Sequence, residues 1–249
     1  MPPVITTGFT NKNGEYLDRV REIAFQKDNL LYNLGKFITE TKHESNYFFK
    51  EDFIATGVGV YIYQSIDNPN IAYRIYKEFS DYGFNGYSDD KLIQLLQEKQ
   101  EKIKLTEFPT GVVTLGGNII GQEIPYYEKY ITIFNYFQTY YVDNPFKVYI
   151  AMLEILKEMY DEQILYLDVH PKNFMISKDN FNVKMIDFDE NYIKFEQLKV
   201  YRETLFSNIK NMIDCLNKIC QFDDLVFLQT DNFDDCLYQV KQMKKRLHK

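Results

Sequence analysis

Asp168, Asn173 and Asp187 lie within twenty residues of one another, in the stretches LYLDVHPKNFMI (165–176) and MIDFDE (185–190). The flanking residues are apolar and read as a buried strand, a turn and a second strand. Burying two carboxylates and an amide there is expensive unless they meet partners or a ligand. Pro171 breaks regular structure and turns the loop so that Asp168 and Asn173 can face one cleft. The Asn173 amide oxygen and the Asp187 carboxylate are hard donors that suit a Mg²⁺ ion also taking phosphate oxygens. The separate Asp168 carboxylate can orient a hydroxyl and accept its proton as a phosphoryl group transfers.

The elements that must position these groups follow from periodicity. Residues 14–41 show mixed helical periodicity. FIATGVGVYIYQSI (53–66) reads as strand, glycine turn and strand, and NIAYRIYKEF (70–79) as a third strand. SDDKLIQLLQEKQEKIK (88–104) opens with capping acids and reads as a helix. The two apolar runs of 111–127, around Gly116-Gly117, predict a hairpin. The second half is helical: 146–163 carries Ile150, Leu153, Leu156 and Tyr160 on one stripe, and Leu205, Ile209, Met212, Leu216 and Ile219 mark another helix. A last helix over 233–247 starts at Asp234-Asp235 and ends on basic residues, as the helix dipole favours.

With those elements in place, YLDVHPKN followed by IDFD resembles the catalytic loop and metal-binding motif of the protein-kinase-like superfamily. It is most similar to the D-[LV]-H-P-x-N form found in aminoglycoside- and choline-type phosphotransferases and compact bacterial kinases. The resemblance implies that Asp168 is the catalytic base, Asn173 a metal ligand and Asp187 the main metal ligand. His170 stands where protein kinases keep a Lys near the transferred phosphate; the plainer reading is a hydrogen-bonded loop histidine. Upstream, TGVGVY places Gly57 and Gly59 where missing side chains would let backbone N–H groups approach phosphates. In IAYR, Arg74 occupies the place of the family's phosphate-binding Lys, a swap that keeps charge but brings a bulkier fork. Alternation puts Ala72 and Arg74 on one strand face, with Ile71, Tyr73 and Ile75 on the other, and gives Lys77 the wrong parity to substitute. The resemblance makes Gly57, Gly59, Ala72 and Arg74 nucleotide-binding and has Glu98, ten residues before Phe108-Pro109, pair with Arg74. Glu101 competes for that role.

The departures are Tyr166-Leu167 in place of His-Arg, Asp189 in place of the Gly of D-F-G, and the lack of an A-P-E motif after Glu190. The resemblance covers about residues 50–195. It implies an α+β, bilobal protein-kinase-like fold: an N-terminal helical extension (1–45), an N-lobe (46–128) with an antiparallel five-stranded sheet and one helix, and a reduced, mostly helical C-lobe (129–249). The expected activity is ATP- and Mg²⁺-dependent transfer of the γ-phosphate to a hydroxyl, on protein Ser/Thr or on a small molecule. The short C-lobe favours a protein acceptor slightly; the D-V-H-P-x-N loop points the other way. A catalytically weak, kinase-like nucleotide-binding module and nucleotidyl transfer at the same metal site are the alternatives.

Composition bounds these readings. The chain is 45% apolar and 26% charged, within the range of ordinary globular domains, and carries 21 Tyr and 20 Phe but no Trp. Its net charge of −7 argues against a nucleic-acid backbone binder, which needs a basic stripe. Cys215, Cys220 and Cys236 match no zinc or redox spacing and read as free thiols of a reducing cytoplasm. The first residues carry no apolar core or basic leader, and no run approaches the roughly 20 apolar residues of a membrane span. The expectation is a cytoplasmic protein with ATP and a hydroxyl acceptor as partners, without nucleic acid or membrane.

Overall fold

The computed structural model describes residues 4–6, 49–56, 60–65, 68–76, 89–115, 118–140, 145–189, 192–195, 198–220 and 230–247. It is a mixed α+β structure dividing into two compact units, 1–98 with 108–128 and 99–107 with 129–249. The helical reading of 14–41 falls outside the described residues.

The first unit is built on a six-stranded sheet of β1 (Val4–Thr6), β2 (Phe49–Thr56), β3 (Val60–Ser65), β4 (Ile71–Tyr76), β5 (Gly111–Leu115) and β6 (Asn118–Pro125), in the order β1-β5-β6-β4-β3-β2. All neighbours are antiparallel except β1 and β5, which pair in parallel. The sheet thus has one strand more than the five expected. The extra strand comes from the segment read as a helical extension, because Val4, Ile5 and Thr6 pair with Val112, Val113 and Thr114. Aromatic and β-branched residues dominate the central strands, as a half-buried pleated surface favours. Tyr63 and Tyr73 are cross-strand partners, and Tyr63, Ala72, Ile75, Val112 and Val113 are buried.

Gly121 is required where β6 meets β4. A Cβ built there would lie 2.1 Å from the Arg74 carbonyl oxygen, a distance no side chain tolerates against backbone. Helix α1 (Asp89–Gln100) buries Leu92, Ile93 and Leu96, and Gln97 Nε2 donates to the Pro109 carbonyl at 2.6 Å. The division of the two units falls within α1, after Glu98.

The second unit contains α2 (Ile133–Thr139), α3 (Phe146–Asp161), α4 (Leu198–Ile219) and α5 (Phe233–Leu247), with short strands β7 (Tyr130–Thr132), β8 (Leu165–Tyr166), β9 (Phe174–Ser177), β10 (Val183–Met185) and β11 (Ile193–Lys194). The strands form a β10-β9-β7 sheet and a β11-β8 pair, all antiparallel. α3 is the core element: Tyr149, Met152, Leu153, Ile155, Leu156 and Met159 are all buried, and the helix packs on α5, β10 and β8. Its buried face is broader than the predicted stripe and rotated from it, so Ile150 and Tyr160 are only half-buried. Tyr160, Phe206 and Phe233 join α3, α4 and α5 through ring centroids 4.9–6.4 Å apart. The start of α5 is capped by Asn232, whose Oδ1 accepts the Asp234 N–H at 2.8 Å. Cys215, Cys220 and Cys236 are free thiols, and burial pushes the Cys236 thiol up to about 12.

Candidate active site

The loop that carries Asp168 leaves β8, passes through a 3₁₀ turn at Pro171–Asn173 and enters β9. Proline fits the first position of that turn because it needs no N–H there. The His170 Nδ1 caps the turn by accepting the Lys172 N–H at 3.2 Å. The imidazole therefore carries its proton on Nε2. Desolvation lowers its pKa from the ordinary histidine value, partly opposed by the Asp168 carboxylate and reinforced by Lys172. The residue is exposed as a whole. The Lys172 ammonium rests 5.0 Å from the centroid of the Phe134 ring on α2, within cation–π range.

Asn173 is buried and its Nδ2 donates twice to Asp168, to the backbone carbonyl at 3.0 Å and to Oδ2 at 2.7 Å. The donor side of the amide is thereby turned to Asp168, and Oδ1 accepts no hydrogen bond from any described residue. The β9–β10 ladder pairs Phe174 with Met185, and the Ile186 N–H then bonds the Asn173 carbonyl at 2.8 Å. Asp187 is the next residue. One hairpin thus brings Asp168, Asn173 and Asp187 into the same small region of the second unit.

Asp187 has φ 67°, the left-handed region that is costly for a residue with a Cβ but less so for Asp. Tyr166 stabilises that turn. Its hydroxyl, on a side chain that is 1% exposed, donates toward the carbonyls of Ile186 at 3.3 Å and Asp187 at 3.2 Å. Its ring packs edge-on against Phe188, with centroids 6.1 Å apart. The next turn is closed by the Asp189 carbonyl, which accepts the N–H groups of Tyr192 and Ile193. Tyr166 was legible in the sequence only as a departure from His; the structure gives it work to do.

Two further groups, unmarked in the sequence, support this region. The Thr106 hydroxyl is fully buried and bonds both backbone groups of Met185, accepting from N–H and donating to C=O at 3.2 Å each. It completes the open edge of β10 just before Asp187. The Asn208 Nδ2 on α4 donates to the Leu167 carbonyl at 2.7 Å.

The residues of the first unit are described separately. Gly57 and Gly59 fall outside the described residues. Ala72 and Arg74 lie on one face of β4, with Ile62 and Gln122 as the cross-strand partners of Arg74. The Arg74 guanidinium is buried, 5.3 Å from the Tyr76 ring centroid, with Nη1 3.4 Å from the Tyr76 hydroxyl. The expected Arg74–Glu98 pair is not formed. Glu98 is exposed and accepts instead from Gln94 Nε2 at 3.3 Å. The cause is helical phase: at 100° per residue, Glu98 projects opposite the buried stripe of Leu92, Ile93 and Leu96. Glu101 follows the helix and is exposed too.

Among the described residues no three His, Cys, Asp or Glu side chains cluster tightly enough to form an all-protein metal cage. A hard cation that keeps waters and takes ligand oxygens needs fewer protein donors. By donor chemistry the Asn173 Oδ1 and the Asp187 carboxylate are hard oxygens of the kind such a cation takes. No helix among the described residues is long and apolar enough to cross a membrane. No family model matches the chain, and no curated protein matches it in sequence.

Proposed function

We propose that the chain is an ATP- and Mg²⁺-dependent phosphotransferase on a bilobal protein-kinase-like scaffold, moving the γ-phosphate of ATP to a hydroxyl. The observation that carries this reading is the orientation of Asn173. Its amide N–H groups hold the Asp168 carboxylate at 2.7 Å, which leaves its oxygen for a cation beside Asp187. An amide and two carboxylates joined by one hairpin are the protein groups such a reaction needs: one carboxylate for the acceptor proton, two oxygens for a metal.

In this reaction the acceptor oxygen forms a bond to the γ-phosphorus as the bond to the β–γ bridging oxygen breaks. ADP leaves, and the hydroxyl proton passes to Asp168. The Asn173 amide fixes the Asp168 carboxylate for that proton, and the Tyr166 hydroxyl holds the backbone of Asp187. A Mg²⁺ held by Asn173 and Asp187 would neutralise charge on the phosphate oxygens. Arg74 is the cation this reading assigns to phosphate oxygens. The acceptor is a protein Ser/Thr hydroxyl or a small-molecule hydroxyl, with the reduced C-lobe favouring protein. The three free thiols fit a cytoplasmic setting.

Arg74 without Glu98 favours a second reading, a kinase-like module that binds nucleotide without turning it over. One experiment separates them: the protein with γ-labelled and α-labelled ATP and Mg²⁺, alone and with cell lysate. Label from the γ position on protein or on a small molecule supports the transferase, whereas label from the α position marks nucleotidyl transfer. ATP that raises the melting temperature without transfer marks the binding module. No transfer and no thermal shift overturns both readings.

A further inference from the structure

We infer that Asn208, in the middle of α4, is a positioning residue for the Asp168 base; this rests on the phosphotransferase reading above. The peptide group that joins Leu167 to Asp168 sets the direction of the Asp168 side chain, because it ends on the Asp168 N–H. The carbonyl of that peptide accepts the Asn208 Nδ2 at 2.7 Å. The preceding peptide is fixed too: the Leu167 N–H bonds the Tyr192 carbonyl at 2.8 Å. On the far side, the Asp168 carbonyl accepts the Asn173 Nδ2 at 3.0 Å. Both peptide planes flanking Asp168 are therefore held by an asparagine amide, one from α4 and one from the 3₁₀ turn.

The helix is a suitable anchor. Leu205, Phe206, Ile209, Met212 and Ile213 are buried around Asn208, and α4 packs against β8, the strand that leads into Leu167. Asparagine is a poor mid-helix residue, because its side chain competes for local backbone groups. Here its side chain reaches 41 residues back along the chain instead. That tertiary bond offsets the local cost, and alanine or leucine would serve the helix better at this position. Asparagine is needed for its donor: an aspartate of the same shape presents only oxygens to the Leu167 carbonyl.

The test uses full-length wild type, Asn208→Asp and Asn208→Ala, the last being a strong helix former that guards against a folding failure. Amide hydrogen exchange of the peptide covering 165–173 is measured beside γ-phosphate transfer kinetics with ATP and Mg²⁺. Both variants are expected to exchange at least tenfold faster in 165–173 with α3 unchanged. Their kcat is expected to fall about tenfold to a hundredfold, the scale of small misplacements of a catalytic group, with KM for ATP within twofold of wild type. A purely structural role would lower the melting temperature and leave kcat intact well below it. Wild-type kcat in folded Asn208→Ala overturns the inference. If wild type transfers no phosphate, the functional reading fails, and exchange decides the positioning role by itself. Unchanged exchange in 165–173 then overturns it.

Discussion

Replacing Tyr166 with phenylalanine removes one hydroxyl and leaves the ring against Phe188 in place. The lost group is a single O–H shared between two carbonyl oxygens at 3.2 and 3.3 Å, both longer than the usual optimum for an O–H donor. A shared bond of that length counts as about one neutral hydrogen bond, so its net contribution is about 1 kcal/mol. The ring burial is unchanged, so no cavity cost adds to it. For a chain of this size, that loss corresponds to about 2–4 °C in melting temperature. The effect on function is larger in relative terms. The hydroxyl holds Asp187 at φ 67°, a conformation costing roughly 1 kcal/mol for a residue with a Cβ. Removing the hydroxyl lets that turn relax, and with Asp187 as the proposed Mg²⁺ ligand the lost supporting bond is expected to lower metal affinity about tenfold or more. The assay is calorimetry of Mg²⁺-dependent ATP binding to Tyr166→Phe and wild type, with melting curves on the same samples. A variant that melts and binds Mg²⁺·ATP as wild type does would refute the assignment of Tyr166 to the Asp187 turn.

Thr106→Val keeps shape but strips both backbone groups of Met185 of their side-chain partner, at a cost of about 2–4 kcal/mol for two buried groups. Thr106→Ser should cost about 1 kcal/mol, the loss of one methyl; urea unfolding that ranks valine at or above serine would contradict the role of the hydroxyl. Gly121→Ala forces a Cβ to within 2.1 Å of the Arg74 carbonyl and should cost about 3 kcal/mol or more, read as a drop in urea midpoint; a midpoint equal to wild type would show that β4 yields freely. His170 has its folded pKa lowered by desolvation, so its contribution is fully present above the unfolded value of about 6.5 and is lost as pH falls through the folded value. Stability of wild type relative to His170→Asn, which caps without titrating, should decline from pH 7 to pH 5. A flat or rising difference would exclude His170 as the titrating cap.

How much of this was legible in the sequence depended on how local each cause is. The helix over 233–247 was readable because its acids, its apolar spacing and its basic end all sit within fifteen residues. The 111–127 hairpin and the 70–79 strand were readable by alternation and turn signals; the pairing of Arg74 with Gln122 was not, because β4 and β6 are not consecutive and no turn sets their register. α2 was missed because YITIFNYFQTYY is rich in β-branched and aromatic residues, and its one start signal is Thr132, whose hydroxyl accepts the Asn135 N–H at 3.2 Å. β1 was missed because a three-residue parallel pairing across more than a hundred positions leaves no local pattern. The candidate site was legible as a motif in Asp168, Asn173 and Asp187. Its supports were not: Thr106 and Asn208 act on backbone groups of distant residues, and nothing in their own neighbourhoods marks them. Glu98 does not reach Arg74 because the helical phase set by Leu92, Ile93 and Leu96 puts it on the opposite face, which its distance from Phe108-Pro109 along the chain does not register.

The central claim is that Asp168 serves the acceptor proton while Asp187 serves the metal-bound nucleotide. The most direct measurement is paired: Mg²⁺-dependent ATP binding and γ-phosphate transfer in wild type, Asp168→Ala and Asp187→Ala. Asp187→Ala is expected to lose Mg²⁺-dependent binding, and Asp168→Ala to bind ATP as wild type does but transfer no phosphate. Turnover by Asp168→Ala at the wild-type rate would contradict it.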